Sequence, residues 1–177
     1  MKKLTILTIA AAMMMLLSSF AAAQTANGTL TVTATVQGSL NLVFVSDASG
    51  VALTGSGTNA ATLAFGNVSA FGALAAGVVR PVPTATTFTV SSAVDVNVTK
   101  TNSASANYTL KAQLGSADAV NTWQVGGFTV TNASAATITA TGTYDANSNF
   151  PVAITIPFTT ASGTNISNTI NYTATAN

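Results

Sequence analysis

Thr29-Leu30-Thr31-Val32-Thr33-Ala34-Thr35-Val36 alternates polar and apolar residues without a break. Side chains on a β-strand point to opposite faces with period 2. Leu30, Val32, Ala34 and Val36 therefore share one face, and the threonines share the other. A strand in this position has two uses. It can pair inside its own domain, or it can be given to a neighbouring copy of the chain.

The residues ahead of it set the route the chain takes. Lys2-Lys3 precedes an apolar stretch from Leu4 to Phe20, interrupted only by Thr5, Thr8, Ser18 and Ser19, and Ala21-Ala22-Ala23 follows. A short positive start, an apolar run and small residues at the cleavage position make a secretory signal peptide. The run is short for a membrane span, so a retained anchor is the weaker alternative. The reading assigns residues 1–23 to the signal. Cleavage after Ala23 leaves 177 − 23 = 154 residues beginning with Gln24. The start has a bacterial style, which implies export through the periplasm to the cell surface or medium, with no stable membrane insertion once the signal is removed.

A chain of this length is one domain, 24–177, with 24–37 as its N-terminal strand, and it is long enough to bury a core. Removing Lys2 and Lys3 leaves 5 − 2 = 3 basic residues against 4 acidic ones, a net charge of −1. Nearly all remaining polarity comes from Thr, Ser, Asn and Gln. So few charges leave no electrostatic footprint for nucleic acid or an anionic membrane. Near-zero net charge also favours self-association, as suits a subunit that packs against its own copies. The chain contains no cysteine, so stability comes from the core or from partners rather than from disulfides.

Most of the mature chain reads as short strands. Phe88, Val90, Ser92, Val94, Val96 and Val98 share one phase, and Tyr108, Leu110, Ala112 and Leu114 another. Ile138, Ala140, Gly142 and Tyr144 form a third run, Val152, Ile154, Ile156 and Phe158 a fourth, and Ile166, Ile170, Tyr172, Ala174 and Ala176 a fifth. Leu40 to Val45 and Trp123 to Val130 add two more. Gly/Asn/Ser/Asp clusters separate the runs, a spacing that predicts a sandwich. Val68 to Val79 is the one plausible helical turn, with Gly72 and Gly77 arguing against a long helix. Pro157 cannot donate to a ladder, which predicts an edge strand or a bulge there.

Chemistry is nearly absent. There is no histidine, glutamate or cysteine, and the four aspartates lie in four different segments. General acid–base and nucleophilic catalysis both need titratable partners that this chain lacks, so it is read as a non-enzyme without cofactor or metal. Asp145-Ala146-Asn147-Ser148-Asn149 places oxygens at alternate positions but lacks the glycine and glutamate of an EF-hand, and it reads as a polar turn, like Asp47-Ala48-Ser49-Gly50. Trp123 and the phenylalanines could stack on sugars, but each lies in or beside an apolar strand, where core packing is the stronger reading.

Several stretches now add up. Thr29 to Val36, a second apolar strand and then Leu63-Ala64-Phe65-Gly66-Asn67-Val68-Ser69 resemble the start of spore coat protein U-type and chaperone–usher pilin domains. Phe88 to Lys100 followed by Asn107-Tyr108-Thr109-Leu110 resembles their next two strands. Ile154-Thr155-Ile156-Pro157-Phe158, Gly163 and Asn168-Thr169-Ile170-Asn171-Tyr172-Thr173-Ala174 resemble their closing pair. Gly163 stands 177 − 163 = 14 residues from the end, where pilins carry a glycine. The chain departs from the family in lacking cysteine, with Gly38 and Ser39 where one is expected.

The resemblance implies an immunoglobulin-like, pilin-type antiparallel β-sandwich completed by a donor strand from a neighbouring subunit. Leu30, Val32, Ala34 and Val36 would be the donated face. Gly163, Ile166, Ile170, Tyr172 and Ala174 would belong to the terminal strand that accepts it. The implied partners are copies of the chain, a periplasmic chaperone and an outer-membrane usher, and the implied role is a structural subunit of an extracellular filament or coat. Two alternatives stand beside it: a self-complete sandwich whose first strand pairs at home, and a secreted binding module for a sugar or surface partner.

Overall fold

The computed structural model describes residues 27–177, so the signal peptide and Gln24 to Ala26 lie outside the described residues. The chain divides into a unit ending at Thr35 and a second unit, Val36–Asn177. Residues 27–35 belong to no strand and are exposed.

The second unit is all-β. Its strands are β1 (Ser39–Ser46), β2 (Thr87–Ser92), β3 (Val94–Thr101), β4 (Tyr108–Leu114), β5 (Thr122–Val125), β6 (Phe128–Val130), β7 (Ala136–Gly142), β8 (Asn147–Asn149), β9 (Val152–Pro157) and β10 (Ile170–Ala176). They form three sheets, ordered β1-β3-β8, β10-β4-β7 and β2-β9-β5-β6. Every pairing is antiparallel. The arrangement is consistent with a β-sandwich.

Period-2 patterning accounts for the core. The inward residues of β2, β3, β4 and β9 are buried at alternate positions, and they meet Trp123, Val125, Val130 and Ile138 in one cluster. The run from Phe88 to Val98 keeps its phase and all six of its inward residues are buried, but it is not one strand. It breaks at Ala93 and crosses from the sheet of β2 to that of β3. The buried Ser92 hydroxyl at this corner accepts a hydrogen bond from the Val51 N–H at 2.8 Å, which satisfies both polar groups. Gly50 is required here because a Cβ on it would lie 2.2 Å from the Ala93 carbonyl oxygen.

Four other expectations are corrected. Val68 to Val79 contains no helical turn; Gly72 and Gly77 adopt left-handed φ of 92° and 79°, which a helix cannot use. Pro157 lies in no edge strand. β9 runs between β2 and β5, and the proline is tolerated as its last residue, beyond the reach of β5, whose pairing stops at Thr122↔Thr155. Trp123 to Val130 is a hairpin, β5–β6, turning on Gly126 and Gly127 with φ of 57° and 84°, the both-positive geometry of a two-residue turn. Ala140 does not face inward. Register shifts between β4 and β7 pair Leu110 with Thr139 and leave Ala140 exposed, while Gly142 returns to lie under the Tyr108 ring.

Asp118 organises the turn into β5. Its carboxylate accepts hydrogen bonds from the Val120 and Asn121 N–H groups, from Asn121 Nδ2 and from Trp123 Nε1, at 2.7–3.0 Å. Burial raises its pKa, but these four bonds outweigh that and hold it down at about 2. A depressed folded-state pKa gives stability that is present above the unfolded value near 4 and is lost as pH falls toward 2. Discounted for solvent screening, Asp118→Ala should cost about 1 kcal/mol at pH 6, from lost bonds to a charged acceptor. Thermal melts of the two proteins should converge as pH approaches 2.

Candidate subunit-interface site

Two edge strands, β1 and β10, are built differently from the inner strands. None of their residues is fully buried. The inward-facing Leu40, Leu42 and Phe44 of β1 and Ile170, Tyr172 and Ala174 of β10 are half-buried and pack against the core. The edges approach without hydrogen-bonding to one another, and the Phe44 and Tyr172 rings meet edge-to-face with centroids 5.0 Å apart. Desolvation pushes the Tyr172 phenol above its ordinary pKa.

Ladder phase decides which backbone groups are free. At the two ends of the β10–β4 pairing, Gly115 N–H donates to the Thr169 carbonyl at 2.7 Å and Asn177 N–H to the Asn107 carbonyl at 3.1 Å. Odd-numbered residues of β10 thus point their peptide groups at β4. By alternation, those of Ile170, Tyr172, Ala174 and Ala176 point away from it. No described residue pairs with them. On β1, Phe44 N–H donates to Thr58 and the Phe44 carbonyl accepts from Gly57, so Phe44 also points away from β3. Leu42 and Leu40 point the same way, and among the described residues nothing pairs with them. Each open edge therefore combines unpaired N–H and C=O groups with an apolar row of half-buried side chains, which is what an added strand needs.

The residues singled out from the sequence fall as follows. Ile170, Tyr172 and Ala174 form the inward face of β10, opposite Leu114, Ala112 and Leu110 of β4. Ile166 keeps their phase and is half-buried, but it precedes the strand. It lines an open depression with Ala117, Val120, Thr160 and Asn168 at the start of β10. Gly163 lies in no strand; it takes φ of 83° in the turn after β9, with open space where a Cβ would be. Leu30, Val32 and Val36 are 89%, 81% and 74% exposed, and Ala34 is exposed with them. The sequence reading missed the β1 rim. Its signal was the alternation Leu40, Leu42, Phe44, which marked a strand but not an edge.

Other candidates for chemistry resolve into structure. Trp123 is 5% exposed, with its indole N–H engaged by Asp118, and offers no stacking face. Asp145 takes φ of 60° in the turn before β8. Asn147 and Asn149 lie on β8 and donate to Asp95, and Asn149 also donates to Asp47. Among the described residues no three His, Cys, Asp or Glu side chains gather as metal ligands. Among the described residues the exposed aromatics are Phe71, Phe128 and Phe158, of which Phe71 and Phe158 are neighbours at 6.3 Å. Comparison with protein-family models, with curated proteins and with solved structures found no match.

Proposed function

We propose that the chain is a structural subunit of an extracellular filament or coat, an atypical pilin-like domain assembled by strand donation between copies. The observation that carries this reading is the pairing of complementary deficits in one chain. An alternating segment, Thr29 to Val36, is exposed and in no strand, while β10 and the Leu40–Leu42 stretch of β1 present unpaired edges backed by half-buried apolar rows. Edge strands of this kind invite strand addition unless they are blocked by charge, proline or a cover. β10 is Ile170-Asn171-Tyr172-Thr173-Ala174-Thr175-Ala176, with neither charge nor proline. In this reading Leu30, Val32, Ala34 and Val36 of one copy lie over the apolar row of the next, in an immunoglobulin-like domain completed by its neighbour. A periplasmic chaperone would cover the open edges before assembly, and an outer-membrane usher would order the exchange.

The test is direct. Purified assemblies heated stepwise in detergent should run as a ladder that collapses only near boiling, and deletion of residues 25–36 should remove the ladder. A chain that is monomeric, and whose melting is unchanged by that deletion, would refute the proposal. The adjacent exposed rings of Phe71 and Phe158 support a second reading, a binding module for a sugar. Glycan-array signal lost on Phe71→Ala at unchanged melting temperature would favour it.

A further inference from the structure

We propose that Tyr172 sets the register of the donated strand: residues 30–36 of one copy run antiparallel to β10 of the next, with Ala34 opposite Tyr172. The inference rests on the strand-donation reading and fixes which edge takes the strand's hydrogen bonds and in which alignment. β10 offers the longer edge. Its free peptide groups recur at Ile170, Tyr172, Ala174 and Ala176, one for each of the four donor residues. β1 has only Leu40 and Leu42 free, because Phe44 is engaged by Gly57 and Thr58. Neither residues 30–36 nor β10 carries a charged side chain, so laying one against the other leaves no charge unpaired.

The ladder on the other side of β10 shows how this strand is packed. Directly opposed residues in an antiparallel pair share a face and interact. β4 sets Leu114 against Ile170, Ala112 against Tyr172, Leu110 against Ala174 and Tyr108 against Ala176. The largest residue of the β10 row thus faces the smallest of the β4 row, and the two alanines of β10 face Leu110 and Tyr108. In chain order, the inward row of β4 is Tyr108, Leu110, Ala112 and Leu114, and the donor face is Leu30, Val32, Ala34 and Val36. Each row has its one small residue in third place. Residues 30–36 are patterned as a second β4 for the free side of β10.

Placed antiparallel, as β4 is, the segment sets Val36 against Ile170, Ala34 against Tyr172, Val32 against Ala174 and Leu30 against Ala176. Space beside Tyr172 is limited, since its ring already meets Phe44 edge-to-face with centroids 5.0 Å apart. A slip of one residue turns the threonine face inward. A slip of two brings Val32 or Val36 onto the Tyr172 ring and carries one donor residue off the end of β10. A parallel strand over the same four positions also puts Val32 on Tyr172 and sets Ala34 against Ala174, crowding one site and underfilling the next. A parallel strand that keeps Ala34 at Tyr172 leaves Leu30 beyond the start of β10.

The chain has no cysteine, so introduced pairs read the alignment directly. In this register Thr31 opposes Thr175 and Thr35 opposes Asn171 as non-hydrogen-bonded pairs, with Cα atoms about 4.5 Å apart, within disulfide range. All four residues are exposed, so their substitution leaves the domain folded. Mature chains carrying Thr31→Cys with Thr175→Cys, or Thr35→Cys with Asn171→Cys, should give a disulfide-linked ladder on a non-reducing denaturing gel after oxidation. Thr31→Cys with Asn171→Cys, and Thr35→Cys with Thr175→Cys, are the pairs of a parallel strand and should run as monomers on that gel. Ala34→Leu adds apolar surface to the donor face, yet it should weaken assembly at least about tenfold, because the added carbons overpack against Tyr172. Ladders from the parallel pairs, or from neither set in a chain whose wild type assembles, overturn the register and leave strand donation standing. So does an Ala34→Leu chain that assembles as well as the wild type. Disulfides that close within single chains, or a wild-type chain that never assembles, refute donation between copies and the register with it.

Discussion

Leu30→Asp combined with Val32→Asp is expected to abolish assembly while leaving the domain folded. Both side chains are more than four-fifths exposed within a single chain, so replacing them removes no core contact. Such surface changes shift stability by about 0.5 kcal/mol or less. In the proposed assembly the same two side chains would lie over the half-buried row formed by Ile170, Tyr172 and Ala174 on one side and Leu40 and Leu42 on the other. Burying a leucine or valine there contributes about 1.5–3 kcal/mol each. A carboxylate in its place is costly, since no basic side chain belongs to β1 or β10 and Lys100, which opposes Leu40 from β3, already donates to the Ser105 carbonyl. The loss per contact is then at least about 3 kcal/mol, more than a hundredfold in affinity. Sedimentation or size-exclusion chromatography should show monomer at concentrations where the wild type is fully assembled. Thr31→Asp with Thr33→Asp, on the other face, is the matched control and should retain assembly at low salt. Equal assembly of all three proteins would sink strand donation.

The alternation from Thr29 to Val36 on which the proposed donor face rests is a local property of the sequence; in the structure those residues form no strand. The inward rows of β2, β3, β4 and β9 were legible for the same reason: Phe88 through Val98, Tyr108 through Leu114 and Val152 through Ile156 are all buried in phase. The partner of each row was not legible. Nothing in the run from Phe88 to Val98 announces that the chain changes sheets at Ala93, because both halves keep one face to the same core. The corner depends on contacts from Gly50 and Val51, more than forty residues away in the chain. The bulge that exposes Ala140 depends on the Tyr108 ring lying against Gly142. Pro157 misled for a related reason. Proline excludes a ladder donor at one residue, and whether that residue lies at a sheet edge or at a strand end is decided by the length of β5. The candidate interface divides along the same line. The proposed donor face rests on a pattern in the sequence, whereas the openness of β10 and the β1 rim became visible only once the pairing of every other strand was known.

Gly77→Ala is expected to cost more than 4 kcal/mol, whereas Gly57→Ala should cost about 1–2 kcal/mol. The two glycines are alike by local criteria, with left-handed φ of 79° and 85°, and an L-residue pays about 1–2 kcal/mol for that conformation at either position. They differ in what surrounds them. A Cβ on Gly57 meets nothing within 4 Å. A Cβ on Gly77 would lie 2.3 Å from the carbonyl carbon and oxygen of Gly50 and 2.5 Å from the Val51 nitrogen. Those are backbone atoms, so no rotamer change relieves the clash and the Gly50-Val51 peptide has to move. That peptide supplies the N–H bonded to Ser92 Oγ, so moving it leaves a buried hydroxyl and an amide unpaired at the sheet-changing corner. Losses above 4 kcal/mol are exceptional among single substitutions, and this position combines three of their named causes: strain, overpacking and a broken buried hydrogen bond. The effect should also reach the interface. Asp47 to Gly50 is the turn that leaves β1, and a displaced Gly50 loosens the strand carrying Leu40, Leu42 and Phe44. Chemical denaturation should show the large gap between the two variants. A synthetic peptide of residues 29–36, added to chains lacking residues 25–36, should raise the melting temperature of the Gly57→Ala form as much as the parent's, and that of the Gly77→Ala form much less. Equal destabilisation by the two substitutions would mean that the junction of Gly77 with Gly50 does not hold the corner together.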